Sequence, residues 1–98
     1  MDLNKFPELK STYSMLKCAF PNDISSEEYF ALLDILYNHL SDRNLARVIA
    51  CLTGKDYYVI INDVYKVGAT FKTINIIIKN DCMHKLRKCN FDQWQKEE

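Results

Sequence analysis

Apolar residues recur at three- and four-residue steps over most of this chain, the spacing of one face of a helix. In "FPELKSTYSMLKCAF", Phe6, Leu9, Tyr13, Leu16 and Phe20 share such a face. Pro7 suits a first turn, where its missing N–H costs nothing, and Pro21 closes the element because the residue before a proline resists helical geometry. The next segment, "SSEEYFALLDILYNHL", opens with Ser25 and Glu28 in capping-box spacing, and Glu27 and Glu28 oppose the positive end of the helix dipole. Tyr29, Phe30, Leu33, Leu36, Tyr37 and Leu40 cover one broad side, which makes this helix central to the core, while Glu28, Asp34 and Asn38 are expected to face away. A third helix starts at Ser41 or Asp42, buries Leu45, Val48, Ile49 and Leu52, and stops at Gly54, where a left-handed residue belongs.

Beyond Gly54 the pattern is ambiguous. Tyr57, Ile60, Ile61, Val64 and Val67 match helical spacing with Asp56 as a cap, yet the β-branched content of "YYVIINDVYKV" also suits a strand. A short fourth helix is favoured, and a hairpin with "TINIII" at 73–78 stays open. The last helix is expected from about Thr73 to Cys89, burying Ile74, Ile77, Ile78, Cys82, Leu86 and Cys89, with a basic C-terminal half. Asn90 is a candidate left-handed stop with Phe91 folding back, and the tail from about 95 is expected to fray. The predicted architecture is therefore all-α: one domain, 1–98, a bundle of about five short helices.

Composition agrees with that class. The 98 residues include only two glycines and two prolines, fewer than an all-β fold spends on turns. No apolar run is long enough to span a membrane and the polar start is no signal peptide, so a soluble, cytoplasmic protein is expected. Thirteen basic and thirteen acidic residues cancel, which removes a global field for nucleic acid. The first fifty residues are net acidic and the remainder net basic, so local faces of opposite sign are expected. The four cysteines form no C-x-x-C pair, and reduced thiols serving as small core residues are the expectation.

Chemistry is sparse. Gly54-Lys55 lacks the earlier glycine of a phosphate loop. His84 and Cys82, two apart, point to different sides of a helix, and two histidines give a metal little to bind. No catalytic residue, metal site or cofactor is expected, and the chain is read as non-enzymatic. A nucleic-acid-binding regulator is the alternative function, with Arg43, Asn44 and Arg47 on a helix-turn-helix-like pair and Lys85, Arg87 and Lys88 on phosphates.

Protein binding has more support. Asp23, Glu27 and Glu28 cluster at the start of the second helix, with Asp34 further along. Tyrosine is a favoured interface anchor, and this chain has six. Tyr57 and Tyr58 are adjacent, so both cannot point into the core, and one of them is expected at the surface beside Asp56.

The run "NDISSEEYFALLDIL", the later "DYY" and the closing amphipathic helix resemble the immunity proteins of E-type nuclease colicins. Those are small helical bacterial proteins that bind the toxin's nuclease domain through acidic residues on the second helix and a tyrosine pair. The resemblance implies Glu27, Glu28, Asp34, Asp56, Tyr57 and Tyr58 as contacts with a cognate toxin domain. After Tyr58 that family has a proline and an acidic loop, where this chain continues "VIINDVYKVG". The whole chain also resembles small helical bacterial proteins, some of which accompany contact-dependent growth inhibition toxins as immunity proteins.

Overall fold

In the computed structural model, which describes residues 3–69 and 75–97, two 3-10 turns (Leu3–Lys5 and Pro7–Leu9) precede six α-helices. These are α1 (Lys10–Ala19), α2 (Ser26–Leu36), α3 (Asp42–Thr53), α4 (Tyr57–Ala69), α5 (Ile76–Lys88) and α6 (Phe91–Glu97). The all-α class holds among the described residues, with six helices in place of about five.

Local signals place most boundaries. The Ser25 hydroxyl accepts the Glu28 N–H at 3.1 Å while the Glu28 carboxylate accepts the Ser25 N–H, completing the capping box. Ser41 caps α3 by accepting the Asn44 N–H, and Gly54 ends it at φ 74°. Asp56 accepts the Tyr58 N–H at 2.7 Å, so 57–69 starts as a helix despite its β-branched content. The hairpin alternative fails there, because Ile76–Ile78 form the first turn of α5 under an Asn75 cap. The start expected at Thr73, and the burial expected of Ile74, lie outside the described residues.

α2 is the centre of the bundle. Leu32, Leu33 and Leu36 are essentially fully buried, joined by Leu16 of α1, Leu45 and Ile49 of α3, Ile60 and Val64 of α4, and Leu86 of α5. α4 and α5 lie against α2 on different sides. Tyr29 meets Asp63, and Gly68 passes so close to Tyr37 that a Cβ there would run into the phenol ring. On the other side Glu28 pairs with Lys85 and Asp34 with Lys79, which makes α5 antiparallel to α2. Glu28 and Asp34 therefore turn towards α5, contrary to the expectation that they face away.

Two further expectations are corrected. Ile77 is 67% exposed, because the α5 face against α2 runs through Ile78, Cys82 and Leu86. Cys18 and Cys89 are not core thiols but a disulfide, with Cα atoms 5.9 Å apart. Cys82 is a buried thiol, as expected, and Cys51 is a half-buried one. Asn90 takes the left-handed conformation (φ 71°), and Phe91 then begins α6. Gln95, Lys96 and Glu97, expected to fray, continue that helix. α6 is fastened by Trp94, whose indole N–H donates to the buried Thr12 hydroxyl of α1 at 2.8 Å, and by His39, edge-on to both Phe91 and Trp94.

Candidate protein-binding face

α4 carries more apolar surface than the core takes up. Ile60, Ile61 and Val64 point inward, with Tyr57 and Val67 half-buried beside them. Outside, Tyr58 is 74% exposed, Val59 54% and Tyr65 52%. Tyr58 and Tyr65 are seven residues apart, so they lie on one line about 10 Å apart along the helix. α4 therefore shows apolar side chains on its outer side as well as on its core side. Tyr57 packs edge-on to Tyr58 with ring centres 5.3 Å apart, and the Asp56 cap fixes the backbone at its start.

Tyr29 ties α4 to α2 through Asp63, on the side of α4 away from the Tyr58–Tyr65 line. Its hydroxyl donates to Asp63 at 2.7 Å and the Lys55 ammonium sits 4.3 Å over its ring. Burial, and then the Asp63 carboxylate, push the phenol well above the usual tyrosine range, so it stays a donor at any working pH. Tyr29→Phe would leave a largely buried carboxylate short of a donor. A loss of about 1–2 kcal/mol in denaturant unfolding is expected.

The acidic residues divide. Glu28 and Asp34 are engaged within the fold, by Lys85 at 2.8 Å and Lys79 at 2.6 Å. Asp23 and Glu27 are exposed at the start of α2, and no ion pair reaches them among the described residues. Asp56 is exposed beside Tyr58. Tyr58, Asp56, Asp23 and Glu27 are thus displayed, Tyr57 is half-buried, and Glu28 and Asp34 are partly screened by lysines. Val59 and Tyr65 were missed by sequence reasoning, although the seven-residue step from Tyr58 to Tyr65 was there to read.

The hydrogen bond from Lys85, followed by that from the Ser25 N–H, holds the Glu28 carboxyl below its ordinary value, and the same pair raises Lys85. A depressed carboxyl contributes stability above its unfolded pKa and loses it as pH falls through the folded one. Wild type and Glu28→Gln, which keeps the cap, should therefore differ in Tm at neutral pH and converge as pH drops below about 4.5, the ordinary value. On the alkaline side the contribution fades as pH rises through the raised Lys85 value.

The bases proposed to meet phosphates are partly committed as well. Arg47 lies 4.2 Å over the Phe6 ring and donates to Asn44 at 2.9 Å, and Lys85 is held by Glu28. Arg43, Arg87 and Lys88 are exposed. Among the described residues no three His, Cys, Asp or Glu gather as metal ligands, and no helix is long and apolar enough to cross a membrane. Burial pushes the Cys82 thiol up to about 11, which leaves it protonated near neutrality.

No protein-family model matches the chain, and neither the curated proteins nor the solved structures include a significant match.

Proposed function

We propose that this chain is a non-catalytic immunity-type protein that neutralises a toxin domain, such as a nuclease, by binding it directly in the cytoplasm. The observation that carries the reading is the exposed apolar surface of α4, the Tyr58–Tyr65 line beside Asp56 with Val59 further round the helix. Exposed tyrosines supply anchor area to a partner, and the exposed carboxylates of Asp56, Asp23 and Glu27 favour encounter with a cationic one. Glu28 and Asp34 contribute less, because lysines of α5 already neutralise them.

The test is capture from nuclease-treated lysate of the source organism, using tagged wild type and tagged Tyr58→Ala side by side. One stoichiometric basic protein retained by the wild type and lost from the variant supports the reading. Equal retention by both removes α4 from the interface. Nucleic acid recovered alone, with affinity falling steeply as salt rises, would turn attention to Arg43, Arg87 and Lys88.

A further inference from the structure

We propose that the Cys18–Cys89 disulfide is a thiol-exchange site through which a small polar thiol controls the docking of α6. The bond lies on an open groove of about 390 Å³ between α1 and the α5–α6 corner. Ser11, Ser14, Lys88 and Gln93 give the groove polar walls, and Trp94 forms part of its lining. Cys18 is exposed and Cys89 half-buried, so an incoming thiol meets Cys18 first.

The exchange balances without any other reactant. The thiolate of the small thiol attacks Cys18 Sγ, the Cys18–Cys89 bond breaks, and Cys89 leaves as a thiolate that takes a proton from water. Lys88 is the neighbour of Cys89 in the chain and lines the same groove, where Glu97 is the carboxylate that opposes it. A second small thiol attacks the small-thiol sulfur of the mixed disulfide. It releases the Cys18 thiol and a small-molecule disulfide, so two thiols are oxidised as one protein disulfide is reduced.

α6 is the element that should respond. It has seven residues, too few to be helical alone, and it follows Cys89 across the left-handed Asn90. Its anchors are Phe91, Trp94 and the Trp94–Thr12 hydrogen bond, and Thr12 sits on the helix that Cys18 fastens. Opening the bond removes the covalent tie between α1 and the α5–α6 corner and leaves α6 to these anchors alone, while α1 and α2 keep their packing on α5. Cytoplasm keeps thiols reduced and secretory compartments oxidise them, so in the cytoplasm of the proposed function the open bond and loosened α6 would be the resting state, and an oxidising setting would dock it.

Trp94 is the sole tryptophan, so its fluorescence reports α6 directly. The oxidised full-length chain is treated with reduced glutathione under native conditions, quenched with acid and mapped by mass. The proposal expects an adduct on Cys18, a red shift of emission and a several-fold rise in acrylamide quenching, with the helical circular dichroism largely kept. The double variant Cys18→Ser/Cys89→Ser should show the shifted emission without thiol and ignore glutathione. A bond that opens only in denaturant, an adduct confined to Cys89, an opening that leaves Trp94 unchanged, or loss of the whole helical signal would each overturn it.

Discussion

Removing the Cys18–Cys89 bond, by the double serine variant or by reduction, is expected to lower the unfolding free energy by about 4 kcal/mol. The two residues are 71 apart in sequence, so the cross-link restrains most of the unfolded chain, and the entropic cost of closing so long a loop sets the size of the effect. For a domain of this length that corresponds to a fall in Tm on the order of 20 °C. Small domains commonly hold 5–15 kcal/mol, so the reduced chain should remain folded at room temperature. Thermal melts of the oxidised chain, the reduced chain and the double variant would check this. Melts that coincide within a few degrees would mean that the disulfide adds little to the native balance.

On the proposed function, Tyr58→Ala is expected to weaken binding to the proposed toxin partner by about 2 kcal/mol or more, roughly thirtyfold in Kd, with little change in Tm. Tyr58 is 74% exposed, so the fold loses little packing when the ring goes, whereas a partner covering α4 would lose a central anchor. Tyr57 should behave differently. It is half-buried against the core, so Tyr57→Ala costs stability as well as affinity. Titration calorimetry with the purified partner, alongside melts of both variants, separates the two roles. A Tyr58→Ala protein that binds as tightly as wild type would take that residue out of the interface.

What could be read in the sequence was what depends on neighbours in the chain. The Ser25–Glu28 box and the Gly54 and Asn90 stops each rest on a few adjacent residues, and each appears in the fold, whereas the stripes were read in part: Leu32 and Ile35 of α2 are buried too, and Phe30, Tyr37, Leu40 and Leu52 are half-buried. α4 was ambiguous because its valines and isoleucines suit a strand as well as a helix; its apolar spacing, a possible Asp56 cap and the lack of a strand partner other than 73–78 favoured the helix that forms. α6 is too short to show a stripe, although Phe91 and Trp94 stand one turn apart after a stop residue. Long-range pairings left no local trace. Cys18 with Cys89, Glu28 with Lys85 and Tyr29 with Asp63 join residues 71, 57 and 34 positions apart. Glu28 and Asp34 looked like a free acidic surface for that reason, since nothing near them in sequence announces the lysines of α5.

The most direct test of the binding account is a photo-cross-link. A benzophenone amino acid placed at Tyr58, and in a control at the exposed Lys88 of α5, is irradiated in cells that make both this chain and the toxin. The account predicts a single cross-linked product from position 58, containing the basic toxin domain, and none from position 88. Cross-linking from 88 and not from 58, or from neither while the chain still protects the cell, would contradict α4 as the binding face.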